Sequence, residues 1–145
     1  MKLTKEFYNG CIIFIGIGVY FLLMNALGYA NVSYLRVLNI LFIFYGVNRT
    51  LQMNYLEGKN DFVLNIASAM ITSLIGVFLS IIGLAAYSFL KGGDPYIQSL
   101  SKSFLFGGKQ TVNTYCITLL FEGIASSVIV TFLLIIYRNN RYTSD

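Results

Sequence analysis

The chain alternates between long uncharged apolar runs and short polar segments that carry nearly all of its charge. Three of the long runs hold no charged residue, and the fourth holds one, Glu122. A helix needs roughly 20 apolar residues to cross a bilayer, so each run predicts a transmembrane helix. The four expected spans cover residues 9–28, 34–51, 62–90 and 112–137. The uncharged run of the second span, residues 37–48, is the shortest and is flanked by Arg36 and Arg49, whose long side chains can reach the two interfaces.

The runs do not show the apolar–polar alternation that strands of a membrane barrel require. Helices are favoured because lipid demands that every backbone group find a partner within its own segment. The composition agrees, since 57% of the residues are hydrophobic and 11% are charged, against about 25% charged in an average soluble domain. We therefore expect an all-α polytopic membrane protein, a four-helix bundle that forms a single transmembrane domain over residues 1–145.

Basic residues predict the orientation, because they concentrate on the cytoplasmic side of a membrane protein. With a cytoplasmic N-terminus, that side holds Lys2, Lys5, Arg49, Lys59, Arg138 and Arg141, and the other holds Arg36, Lys91, Lys102 and Lys109. Six against four favours both termini inside. The basic start and Ala26-Leu27-Gly28 also fit a cleaved signal peptide, but we expect the segment to remain as the first span.

A linker of intermediate length joins the third and fourth expected spans. Residues 92–95, Gly-Gly-Asp-Pro, are typical of a turn. The apolar residues after it recur at helical spacing and are Tyr96, Ile97, Leu100, Phe104 and Leu105. This pattern predicts a short amphipathic helix on the outer interface, with an irregular loop as the alternative.

Glu122 is the one charged residue within the fourth apolar run. A carboxylate that faces lipid near the middle of a span raises the free energy of insertion by at least a few kcal/mol. Thr118 and Ser126 lie four residues on either side of it, on the same helix face. Residues of other spans expected at similar depth are Asn25, Asn39 and Ser80. One hypothesis is a buried site for a proton, cation or polar ligand. The other is a protonated Glu122 that hydrogen-bonds to Asn39, Asn25 or Thr118 as structural glue.

Small residues follow one another at four-residue steps along the third span. They are Ser68, Thr72, Gly76 and Ser80, and Gly123 with Ser127 forms a similar pair on the fourth span. Such spacing lets a second helix approach closely. The pattern predicts helix packing, either within the chain or against a neighbouring subunit.

Groups for chemistry are scarce. The chain has no histidine and two cysteines, which removes the usual haem ligand, zinc ligand and general base. We therefore expect no catalytic residues, no metal, no cofactor and no nucleic-acid partner. The favoured function is a non-enzymatic integral membrane subunit, in a larger complex or a homo-oligomer. The alternative is a small channel or transporter for protons, cations or a small solute that uses Glu122.

Short motifs resemble those of small four-span membrane protein families of unknown function from Bacteroidota. They are Tyr34-Leu35-Arg36-Val37-Leu38-Asn39, Phe44-Tyr45-Gly46, Thr72-Ser73-Leu74-Ile75-Gly76 and Phe121-Glu122-Gly123 followed by Ser126-Ser127. The motifs are distributed over most of the chain, but they are short and apolar. The resemblance implies a bacterial plasma membrane location, with the lipid bilayer and other membrane subunits or further copies as partners. It implies no catalytic residue.

Overall fold

A computed structural model describes residues 4–100 and 110–142, and the described part of the chain is helical with no strand. The helices are α1 (Thr4–Ala26), a 3₁₀ helix (Ser33–Leu38), α2 (Asn39–Leu56), α3 (Phe62–Leu90), α4 (Asp94–Leu100) and α5 (Val112–Tyr142). The predicted all-helical fold is therefore confirmed.

Three of the described helices are long and apolar enough to cross a membrane: α1, α3 and the part of α5 from Val112 to Arg138. These helices favour a membrane location. The segment expected as the second span, 34–51, differs from the prediction. It is divided between the 3₁₀ helix and α2, and α2 is more polar because it carries Arg49, Gln52 and Asn54.

The first span begins earlier than predicted, at Thr4 rather than at residue 9. The extra turn is held by the rest of the bundle. The ammonium of Lys5 lies 2.8 Å from a carboxylate oxygen of Glu57, beyond the end of α2, and Glu6 is fully buried. Tertiary contacts therefore extend the helix beyond the uncharged run that predicted it.

The four long helices form one bundle in which α1 and α3 run in the same direction and α2 and α5 run in the opposite one. Asn9 near the start of α1 bonds Thr50 near the end of α2, and Arg36 before α2 meets Tyr115 at the start of α5. The end that holds the α1 N-terminus and the α2–α3 turn is called the N-terminal end here. The opposite end, which carries α4, is called the α4 end.

The small residues of α3 lie against α1 of the same chain. A Cβ added at Gly76 would meet Ile13 of α1 at 2.6 Å and the carbonyl oxygen of Gly10 at 3.2 Å. Ser68 and Thr72 are buried. On α5, a Cβ at Gly123 would meet Val77 of α3 at 2.5 Å, and Ser127 is buried. These faces are occupied inside the chain.

The predicted amphipathic segment begins as α4, with Pro95 in the first turn, where its missing N–H is tolerated. The backbone N–H of Val112 donates to the carboxylate of Asp94 at 2.8 Å, which ties the start of α5 to α4. Ile97 and Leu100 are buried against α5. The rest of the predicted helix, with Phe104 and Leu105, lies outside the described residues.

Candidate functional site

A cavity of about 510 Å³ lies between α1, α2, α3 and α5 in the half of the bundle nearer α4. Most of its walls are apolar, as with Phe14, Ile40 and Leu119. The polar side chains that line it are Tyr20, Tyr29, Arg36, Asn39, Ser80, Tyr87, Tyr115, Glu122 and Ser126. The cavity combines a large apolar surface with a few hydrogen-bonding groups, among them the ionisable side chains of Arg36 and Glu122.

The structure brings together four of the six polar residues that the sequence proposed for an intramembrane site. Glu122 and Ser126 line the cavity from α5, Asn39 from α2 and Ser80 from α3. Asn25 and Thr118 are not among the lining residues.

Asn25 and Thr118 have other partners than Glu122. The amide of Asn25 donates to the Tyr87 hydroxyl at 3.2 Å and accepts from the Tyr96 hydroxyl at 3.3 Å. The Thr118 hydroxyl donates to the carbonyl of Thr114 on its own helix. Glu122 is exposed at the cavity. None of the hydrogen bonds that the glue hypothesis expected from it is found among the described residues.

Arg36 is the cavity residue whose place the sequence did not predict. Its guanidinium donates to the Tyr115 hydroxyl at 2.8 Å and lies 5.6 Å from the centre of that ring. Tyr115 and Glu122 both line the cavity from α5. The 3₁₀ helix therefore directs Arg36 into the cavity that Glu122 also lines.

A second polar region lies at the N-terminal end and was missed at the sequence level. The Asn9 amide donates to the Thr50 hydroxyl at 2.9 Å, and that hydroxyl lies 2.9 Å from the hydroxyl of Thr72. All three side chains are fully buried. They join α1, α2 and α3 in one hydrogen-bonded layer.

One turn nearer the N-terminal end, three further polar side chains are buried. They are Glu6, Asn54 and Ser68, which are at most 1% exposed. Both carboxylate oxygens of Glu6, the amide oxygen of Asn54 and the hydroxyl of Ser68 lack a hydrogen-bond partner. Such groups are rare in folded proteins and need an explanation. The sequence does carry a pattern for this region, because polar residues lie three or four apart on each of α1, α2 and α3 towards the N-terminal end.

An exposed ion-pair cluster covers this end of the bundle. One carboxylate oxygen of Glu57 lies 2.8 Å from the ammonium of Lys5 and 2.6 Å from that of Lys59. Hydrogen bonds from the two lysines lower the pKa of Glu57 to about 2. The hydrogen bond that Lys59 donates to Glu57 also raises the pKa of Lys59.

The described residues contain no group of three or more His, Cys, Asp and Glu side chains that could hold a metal ion. No protein-family model, curated protein or solved structure matches this chain, and its resemblance to the four-span families therefore stays a prediction.

Proposed function

We propose that this chain is a non-enzymatic, multi-pass membrane protein that binds a small amphipathic molecule in the cavity between α1, α2, α3 and α5. The observation that carries the proposal is the cavity itself. Its volume, about 510 Å³, lies within the range of roughly 300–1,000 Å³ that is usual for small-molecule sites. Its walls follow the same pattern, mostly apolar with a few polar groups.

The ionisable groups of the cavity indicate the kind of ligand. Arg36 and Glu122 provide one basic and one acidic group beside an apolar surface. A ligand with an apolar body and a polar or charged head would use both features. A protein that holds such a molecule can act as a carrier or as the binding subunit of a complex. The channel or transporter hypothesis gains support, because a cavity reaches Glu122.

The proposal includes α2 as a fourth membrane span. α1 and α3 run in the same direction, so the chain must return to its starting face between them. α2 is the element that makes this return, and its 18 residues extend over about 27 Å at 1.5 Å per residue. Two of its polar side chains, Thr50 and Asn54, are buried within the bundle. Both termini would then face the cytoplasm of a bacterial cell.

A purely structural accessory subunit is the second candidate, and a different observation favours it. Outside the four long helices, the described residues form only short connections, the 3₁₀ helix and α4. These segments are too short to form a separate functional domain. Native mass spectrometry of the purified protein would separate the two candidates. A co-purified protein with no bound small molecule would support the accessory role.

A cavity-filling pair of variants tests the binding proposal. Ser126 lines the cavity, whereas the neighbouring Ala125 is exposed and does not line it. We expect wild type and Ala125→Phe to retain a bound small molecule through detergent exchange, as measured by native mass spectrometry. Ser126→Phe should lose it because the ring occupies the cavity. Equal retention by both variants, or no bound molecule in wild type, would contradict the proposal.

The transport hypothesis has its own test at Glu122. Glu122→Gln keeps the shape of the side chain but removes its charge and its ability to ionise. If Glu122 titrates during transport, wild-type liposomes should show proton or cation flux that the Gln variant lacks at unchanged thermal stability. Glu57→Gln, an acid of the exposed cluster, is the control and should keep the flux. Identical flux in wild type and Glu122→Gln would exclude this role.

A further inference from the structure

The N-terminal end of the bundle holds a layer of buried oxygen atoms that is separate from the cavity. The hydrogen bonds among Asn9, Thr50 and Thr72 fix the relative heights of α1, α2 and α3. Glu6, Asn54 and Ser68 are each three or four residues from one of these, in the direction of the same end. Residues so spaced share a helix face, so these three side chains form the next layer of the bundle.

The oxygen atoms of this layer are buried without hydrogen-bond donors. Glu6, Asn54 and Asn9 are 0% exposed and Ser68 is 1% exposed. Both oxygens of the Glu6 carboxylate and one oxygen of each of the other three side chains have no partner. The Asn54 amide nitrogen is already used, since it donates to Asn65 at 2.9 Å. What remains is a set of buried oxygen atoms for which the described residues supply no positive partner.

We infer that Glu6, Asn9, Asn54 and Ser68 form a binding site for a monovalent alkali cation between α1, α2 and α3. Carboxylate, amide and hydroxyl oxygens are the ligands that hard cations prefer. One carboxylate matches a single positive charge, whereas a divalent ion would leave an uncompensated charge in a buried site. The ion would supply the positive partner that the buried acceptors lack.

The nearby lysines do not take this place. The ammonium groups of Lys5 and Lys59 lie 2.8 and 2.6 Å from Glu57, in the exposed cluster above the site. No hydrogen bond or ion pair joins either lysine to Glu6 among the described residues. If a lysine neutralised Glu6, added cations would not stabilise the protein. A stabilising effect of added cations therefore distinguishes a bound ion from a lysine partner.

The test is cation-dependent thermal unfolding of the full chain in detergent. Protein purified in choline chloride is titrated with NaCl or KCl at constant total salt. We expect the unfolding midpoint to rise and then saturate, because a ligand that binds only the folded state stabilises it by mass action. An unchanged midpoint when Na⁺ or K⁺ replaces choline, or a response to Mg²⁺ or Ca²⁺ alone, would overturn the inference.

Two variants locate the effect. Glu6→Gln removes the charge and should abolish the cation response. Ser68→Ala removes one ligand with little change in packing and should raise the half-saturating concentration by roughly tenfold. Ser127→Ala, the same change at a fully buried serine of α5 whose hydroxyl donates to the Gly123 carbonyl of its own helix, is the control and should respond as wild type does. If Glu6→Gln does not fold, the comparison of Ser68→Ala with wild type still decides, since an unchanged half-saturating concentration would refute the site.

Discussion

Glycine determines how closely the helices approach in the middle of the bundle. Gly10 and Gly76 face each other across α1 and α3, and an added Cβ at Gly10 would meet Ile75 at 2.5 Å. Backbones in lipid pack through such small residues because no hydrophobic effect drives one apolar helix against another. Single atoms at these positions therefore influence the stability of the whole bundle.

Gly76→Ala should destabilise the protein. Its Cβ would lie 2.6 Å from Ile13, and overpacking of this kind typically costs about 1–3 kcal/mol. Gly18→Ala is the control, since nothing lies within 4 Å of a Cβ there, and alanine favours helix over glycine by about 1 kcal/mol. Thermal unfolding in detergent should rank Gly18→Ala at or above wild type and Gly76→Ala below it. Equal midpoints for the two variants would show that α1 and α3 are not in close contact.

Glu57 predicts a pH dependence at the acidic end. Its pKa is lowered from 4.5 to about 2 by hydrogen bonds from Lys5 and Lys59. Because folding favours the ionised form, this contribution is present above pH 4.5 and is lost as the pH falls towards 2. The loss should be small, since the pair is exposed to solvent. Unfolding midpoints should fall less steeply in Glu57→Gln than in wild type across this window, and parallel curves would contradict the assignment.

At the scale of elements, α2 is distinguished by polar residues that point inward. Thr50 and Asn54 are fully buried, and the carbonyl and side chain of Asn48 accept from Arg138 of α5 at 3.3 and 2.8 Å. A helix with this composition is poorly suited to lipid on its own, but neighbouring helices supply partners for Asn48, Thr50 and the amide nitrogen of Asn54. Hydrogen bonds between helices therefore hold α2 in the bundle.

Thr50→Val should weaken this arrangement. Valine keeps the shape of threonine but removes the hydroxyl that accepts from Asn9 and bonds Thr72. A buried donor left without a partner costs about 1–3 kcal/mol. Thr118→Val is the matched control, because the Thr118 hydroxyl bonds only the Thr114 carbonyl of its own helix in the described structure. Denaturation in detergent should place Thr50→Val clearly below Thr118→Val, and the opposite order would argue against the interhelical layer.

The sequence predicts the bounds of a helix well where one long uncharged run contains the whole helix. α3 covers residues 62–90 as expected, because an uncharged run shows its length directly. α1 and α2 were predicted less well, since Lys5 pairs with Glu57 from a distant part of the chain and the bundle buries Glu6 and Asn54. Likewise, the spacing on α5 indicated Glu122 and Ser126, but no local pattern could bring Arg36 from the 3₁₀ helix to the same cavity.

At the scale of the whole molecule, the two ends of the bundle differ in chemistry. The N-terminal end carries the Lys5–Glu57–Lys59 cluster above the buried oxygens. At the α4 end, Asn25 joins α1 to Tyr87 and Tyr96, and burial raises the pKa of Tyr96 to about 12. The cavity with Arg36 and Glu122 lies in the α4 half. A ligand and a cation would therefore bind in opposite halves of the protein.

The expected topology can be tested at these two ends. With four spans and a cytoplasmic N-terminus, the α2–α3 turn faces the cytoplasm and α4 faces outward. Asn60 and Gln98 are exposed, so a single cysteine placed at either position can be reached by an impermeant thiol reagent from its own side. In a background without Cys11 and Cys116, Gln98→Cys should label in intact cells, whereas Asn60→Cys should label only after the cells are opened. Labelling of Asn60→Cys alone would invert the orientation, and labelling of both in intact cells would exclude α3 as a span between the two faces.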